Sequence, residues 1–213
     1  MNLFFILLIL HVISGASGLL LGTFVLIRKK GDALHKKLGY FFVISMTTTG
    51  LIALVLSYLH PSLFLFIVGV FTVYLTLSGY RMVRLKKHPQ GKKPEVFDVI
   101  ITSLMLISSL SFLFYGTQLL ISGEKFGGVL LLFGGISLRM CYLDYRIFTY
   151  KVTQPLYWLK NHLGRMTGAY IAAFTAFLVV NNTYLPGYIA WSLPSIIGVA
   201  FIIRNLRKLS PKK

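Results

Sequence analysis

Acidic side chains are scarce in this chain of 213 residues, with five aspartates and glutamates against 22 lysines and arginines. Charge of either sign is thin, at 13% of residues, where soluble domains carry about 25%. That shortage sets the chain apart from globular domains with a charged, solvated surface. Cysteine is scarcer still: Cys141 stands alone, so no intramolecular disulfide can form. The sequence holds no CxxC pair, no HExxH or HxxxH spacing, no glycine-rich phosphate loop and no nucleophile elbow. The usual signatures of thiol redox, zinc-dependent hydrolysis, nucleotide binding and acyl transfer are therefore missing.

What the chain has in abundance is apolar sequence: 56% of residues are hydrophobic and the mean hydropathy is +0.76. These residues fall in blocks of about twenty, long enough at ~1.5 Å per helical residue to cross a hydrocarbon core of ~30 Å. The blocks predict an all-α, polytopic transmembrane bundle of about seven spans in one domain, 1–213. The expected spans are 2–27, 38–59, 62–82, 96–121, 126–145, 163–180 and 185–203. The start of the first block imitates a signal peptide, with Ser14-Gly15-Ala16-Ser17-Gly18 resembling a cleavage region. No basic segment precedes it, however, and the apolar run continues to Ile27 before Arg28-Lys29-Lys30, so it is read as a retained span. His60-Pro61, Ser122-Gly123-Glu124-Lys125 and Asn181-Asn182-Thr183 read as tight turns. Arg84 to Pro94, including His88, reads as a solvated loop. The glycosylation sequon within Asn181-Asn182-Thr183 is treated as chance.

The formal net charge of +17 suggests a nucleic-acid binder only until the cations are placed. No soluble basic domain lies between the apolar blocks, and the cations cluster at span ends. Numbering the spans puts every lysine and arginine except Lys125 on one side. The positive-inside rule then predicts an amino terminus outside and a carboxyl terminus in the cytoplasm. Expected partners are membrane lipids, including anionic headgroups, and a membrane-protein partner, with no nucleic acid. The topology also allows a 3 + 1 + 3 arrangement, a parallel repeat of spans one to three in spans five to seven.

Candidate chemistry rests on the ionisable residues in or beside the spans, since such groups are costly in a bilayer. His11 lies well inside the first span on one face with Gly15, Gly18 and Gly22, and Ser14 lies beside it. That stripe of small residues is expected to face a neighbouring helix. His11 itself is either an imidazole hydrogen-bonded across the bundle or a ligand, proton-relay or substrate group. His35 and His162 are placed at the cytoplasmic starts of the second and sixth spans and form a candidate pair. Two imidazoles can ligate a metal or a haem, with Asp144 or a tyrosine as a further donor. Lys36, Lys37, Arg146, Lys160 and Arg165 around them suit an anion better. Asp144, near Arg139 and Arg146, is expected in an interfacial ion pair. Glu95 and Asp98 are expected to favour the dipole of the fourth span. Gly127-Gly128 and Gly134-Gly135 are read as packing positions.

His11 with Gly15 and Gly22, Arg28-Lys29-Lys30-Gly31 leading to His35 and Gly39, and the stretch WLKNHLGRMTGAYIAAFTAFLVVN from Trp158 to Asn181 together resemble an uncharacterised family of bacterial predicted multi-pass membrane proteins, a domain of unknown function. Phe97-Asp98 opening a span and Phe133-Gly134-Gly135 leading toward Asp144 add to the likeness, which covers most of the chain. The resemblance implies a bacterial inner-membrane protein and lends weight to His11, His35, Asp144, His162, Gly164 and Arg165. It implies no activity.

Three classes of function follow as expectations. The first is a membrane protein that binds a lipid, a small anionic ligand or a membrane partner at its cytoplasmic rim through His11, His35, Asp144, His162 and Arg165. The second is a redox protein with a b-type haem or a metal on His35 and His162. The third is a small proton-coupled transporter using His11.

Overall fold

The computed structural model describes residues 2–87, 94–149, 151, 152 and 156–209. The fold is all-α: α1 (Leu3–Ile27), α2 (Ala33–Leu59), α3 (Leu63–Arg81), α4 (Val96–Ile121), α5 (Gly127–Phe148), α6 (Tyr157–Val180) and α7 (Gly187–Lys208), with a 3₁₀ turn at Arg84–Lys87. Among the described residues, seven α-helices are long and apolar enough to cross a membrane. The expected loop around His88 lies outside the described residues.

Local chemistry sets the helix ends. Asp32 caps α2 by accepting the His35 backbone N–H at 2.7 Å, satisfying one of the donors a helix start leaves open. In α4 the Glu95 N–H donates to Asp98 Oδ2 at 2.8 Å. Gly31 and Gly123 turn the chain at φ of +86° and +87°, in the left-handed region that glycine enters without steric cost. α2 and α6 begin at Ala33 and Tyr157 rather than at 38 and 163. Hydropathy marks where a helix meets lipid; helicity continues into the polar turns beyond. His162 therefore lies inside α6 rather than at its start.

The chain divides into two compact units, Met1–Tyr80 with Lys160–Lys213, and Arg81–Leu159, which cut across the 3 + 1 + 3 grouping. In the larger unit, close contacts run through small residues, as expected where apolar lipid offers no drive for helix association and backbones must approach closely. Gly15 and Gly18 of α1 meet Thr49 and Met46 of α2, and Gly22 meets Phe42 and Tyr170. Gly50 of α2 lies against Val73 and the Gly69 carbonyl of α3, Gly79 of α3 against Arg165 and Met166 of α6, and Gly198 of α7 against Ile171. The His11 stripe thus faces α2 and α6. In the smaller unit α4 packs on α5, with Gly116 against Gly127 and Leu130, and Gly134 against Leu113 and the Ser109 carbonyl. An added Cβ at Gly128 or Gly135 meets nothing within 4 Å, so only one glycine of each pair is a packing position.

Exposure is the reverse of a water-soluble fold. The most apolar window of α1 is 6% buried, against 56% for α3. Large apolar side chains line the outward faces of α1 and α4, among them Ile13, Leu20, Phe24, Leu104, Ile107 and Phe114. Water would penalise that surface by about 25 cal/mol per Å²; hydrocarbon does not. The protein is a multi-pass membrane protein.

Candidate functional site

The larger unit gathers its chemistry at one end, where the α1–α2 connection, the end of α3, the start of α6 and the end of α7 come together. Gly79 provides the anchor. Its carbonyl accepts a hydrogen bond from His162 Nδ1 at 2.8 Å, so in the neutral ring Nε2 carries the free lone pair. One turn further along α6, Arg165 is 2% exposed. Its guanidinium lies 5.4 Å from the centre of the Tyr74 ring, and Nη1 donates to the Tyr74 hydroxyl at 3.4 Å. A Cβ on Gly79 would stand 2.9 Å from the Arg165 Cβ. The absence of a side chain there is what lets α6 come close enough for the histidine bond.

His35 occupies the first turn of α2, half-buried, with Nδ1 buried and without a hydrogen-bond partner. Its ring feels the charges of Lys30, Lys36, His162 and Asp32, so His35 and His162 lie within electrostatic reach of each other. Asp32 is engaged elsewhere: Arg28 Nη2 is 3.1 Å from its Oδ2. The His35 backbone N–H, and then Arg28, hold the Asp32 carboxyl below the usual carboxylate range. Lys30 Nζ donates to the Val25 and Leu26 carbonyls at 2.6 and 2.5 Å, and burial pulls its ammonium below the ordinary lysine value. The field around His35 is therefore cationic. A metal ion is repelled by such a field and an anion attracted.

His11 stands apart, in the amino-terminal half of α1. Its Nδ1 donates to the Thr49 carbonyl at 3.1 Å, and Thr49 Oγ1 lies 2.8 Å from both Ser14 Oγ and the Ser45 carbonyl. His60, at the end of α2, packs on Phe4 with ring centres 4.1 Å apart.

Asp144 belongs to the smaller unit and is fully buried. Thr102 Oγ1 of α4 donates to its Oδ2 at 3.1 Å, and the neighbouring Cys141 Sγ lies 3.6 Å from the Thr102 carbonyl. Arg146 turns to the Lys151 carbonyl at 2.9 Å. This unit also holds a buried ion pair that joins a cation from the end of α3 to an acid in the first turn of α4. Arg81 Nε and Nη2 grip Asp98 Oδ1 and Oδ2 at 2.5 and 2.8 Å, and Nη2 also lies 2.9 Å from Glu95 Oε2. Asp98 is one of only five acids, and that rarity beside a basic span end was the available signal. Arg81 and Arg165 are both buried, so part of the basic complement serves the interior rather than a solvated face.

Among the described residues, no group of three or more His, Cys, Asp or Glu side chains is placed to hold a metal ion. Comparison with known proteins finds no matching family model, no matching curated protein and no matching solved structure.

Proposed function

We propose that this multi-pass membrane protein binds a small anionic ligand or an anionic lipid headgroup at the basic end of its larger unit, with His35 and His162 as the contact groups. The observation that carries the reading is the His35 ring: its Nδ1 is buried without a partner, and it lies in the field of the Lys30 and Lys36 ammonium groups, while Asp32, the opposing charge, is already engaged by Arg28. A phosphate oxygen supplies the missing partner and balances that charge. The charge distribution of the sequence supports a cytoplasmic location for this end. The likeness to the bacterial family supports the inner membrane.

The test is binding of inorganic phosphate to the detergent-purified chain, followed by thermal shift at constant ionic strength against chloride. The reading expects stabilisation by phosphate that His35→Ala and His162→Ala each abolish. Equal effects of phosphate and chloride would overturn it. One observation favours a second reading, a b-type haem: the Gly79 carbonyl fixes His162 through Nδ1 and leaves Nε2 as the ring's acceptor, the arrangement in which ligating histidines are commonly held. A Soret band in the absorbance spectrum of the purified protein, lost in His162→Ala, would replace the first reading with this one.

A further inference from the structure

A groove of about 230 Å³ runs between α1, α6 and α7. Tyr170, Ile171 and Phe174 of α6 form one wall, Pro194, Ile197 and Phe201 of α7 another, and Leu26 closes the α1 side. Two residues make room for it. Pro194, inside α7, has no N–H to give to the preceding turn. Gly198 offers no side chain where a Cβ would overlap Ile171. Two polar side chains of α6 border it: Thr167, which is buried, and Tyr170, whose hydroxyl pairs with Thr23 Oγ1 at 2.8 Å. The rest of the lining is apolar, and no charged side chain enters it.

Charge enters at one end only. Lys30 Nζ lies 5.8 Å from the centre of the Phe201 ring, and its two bonds to the Val25 and Leu26 carbonyls leave a third N–H. On α7 the lining positions Pro194, Ile197, Gly198 and Phe201 advance by threes and fours along one helical face. The same face continues into Arg204, Asn205 and Lys208, of which Arg204 and Lys208 are exposed. An apolar slot that ends in a cluster of cations matches a molecule with a hydrocarbon tail and an anionic head.

We propose that the groove holds one acyl chain of an anionic phospholipid whose phosphate sits between Lys30 and the basic end of α7. For its headgroup the inference rests on the anion-binding reading above, because Lys30 is also among the charges acting on His35. For its acyl chain it rests on the groove alone.

Native mass spectrometry of the full chain in detergent tests it, with phosphatidylglycerol and phosphatidylcholine of matched chains and inorganic phosphate as the three probes. Phosphatidylglycerol should bind about fivefold tighter than phosphatidylcholine, the worth of one surface cation. Lys30→Gln keeps a donor for the α1 carbonyls and removes the charge; it should bring the two lipids level. Ile197→Trp, at an exposed lining position, should fill the slot and weaken both lipids while leaving inorganic phosphate binding unchanged. Ile197→Ala, which widens the slot, provides a second variant should the tryptophan perturb folding, and it too should weaken both lipids. Equal binding of the two lipids by the unaltered chain, or lipid binding indifferent to both Ile197 variants, would overturn the inference. If His35→Ala abolishes phosphate binding while both Ile197 variants leave lipid binding intact, the groove fails and the anion site stands. If lipid preference survives His35→Ala but not Ile197→Trp, the groove stands and the histidine site fails.

Discussion

Arg81 holds Asp98 at two points, with both side chains almost wholly shielded, at 9% and 5% exposure. Removing one member of such a pair strands the other charge, which costs about 3–5 kcal/mol. Asp98→Ala should therefore lower the thermal midpoint in detergent sharply. The double substitution Arg81→Met with Asp98→Leu should recover most of that loss. Glu95 touches the same guanidinium but is 60% exposed, so Glu95→Gln should cost less than about 1 kcal/mol. Equal losses for Asp98→Ala and Glu95→Gln would show that the burial of the pair is immaterial.

Glycines at close contacts and glycines beside open space should respond to alanine with opposite signs. An added methyl at Gly79 meets the Arg165 Cβ at 2.9 Å, and at Gly127 it runs into the Gly116 carbonyl oxygen. Overpacking of that kind costs about 1–3 kcal/mol. At Gly39 and Gly164 a Cβ meets nothing within 4 Å, and alanine there should stabilise by about 0.4–1 kcal/mol through the reduced freedom of the unfolded chain. An alanine scan read by thermal midpoint separates the two groups. Gly79→Ala should also loosen the His162 anchor and weaken phosphate binding.

Buried hydroxyls in the smaller unit make a similar pair of opposites. Ser137 Oγ is buried without a hydrogen-bond partner, so Ser137→Ala loses no bond and removes a desolvated group. Its thermal midpoint should be unchanged or raised. Thr102 donates to the Asp144 carboxylate, and hydrogen bonds to charged groups are worth about 1.5–3 kcal/mol. Thr102→Val should destabilise by that order.

Acid should expose the role of Asp32. Its folded-state carboxyl titrates below the ordinary value because the His35 N–H and Arg28 favour the charged form. The stability this supplies is fully present above the unfolded aspartate value, about 3.9, and is lost as pH falls through the lower folded value. Asp32→Asn retains an N-cap acceptor but has no proton to gain. The difference in thermal midpoint between the natural chain and Asp32→Asn should shrink as pH drops below about 4. A constant difference across that range would remove Asp32 from the acid response.

The proposed orientation yields to labelling. Single cysteines placed on a Cys141→Ser background at Glu124 and at Lys29 should react with a membrane-impermeant thiol reagent in whole cells only at position 124. Inverted vesicles should reverse the pattern. Labelling of position 29 from outside would turn the protein over and remove the argument for a cytoplasmic anion site.

Spans were the most legible feature, because lipid solubility is written locally. The run from Val96 to Ile121 emerges as α4 with those same ends, and α1 differs from its apolar run only at the first residue. The starts of α2 and α6 were not legible, since their first turns carry Lys36, Lys37, Lys160 and Asn161, helical but too polar to read as a span. The face of His11 could be read from the three- and four-residue steps to Gly15, Gly18 and Gly22. Its acceptor on Thr49 could not, because no periodicity within α1 reports which carbonyl of α2 lies opposite. The same holds for Arg81 and Asp98: each was noticed separately, and only tertiary structure joins a residue at the end of one span to one at the start of the next.

The pairing of α4 with α5 bears on how the chain enters the bilayer. The most apolar window of α5 has the lowest mean hydropathy among those of the seven described helices, 1.3 against 2.1 for α4, and α5 carries Ser137, Cys141 and the buried Asp144 along its α4-facing side. A segment of that kind partitions weakly by itself, since an aspartate opposes translocon-mediated insertion. Its partner emerges from the ribosome immediately before it, and Thr102 and the glycine contacts are already in place to receive it. The two helices are thereby suited to leave the insertion machinery together as a hairpin, so that a substitution in α4 registers first as a failure to integrate α5 rather than as a less stable finished protein.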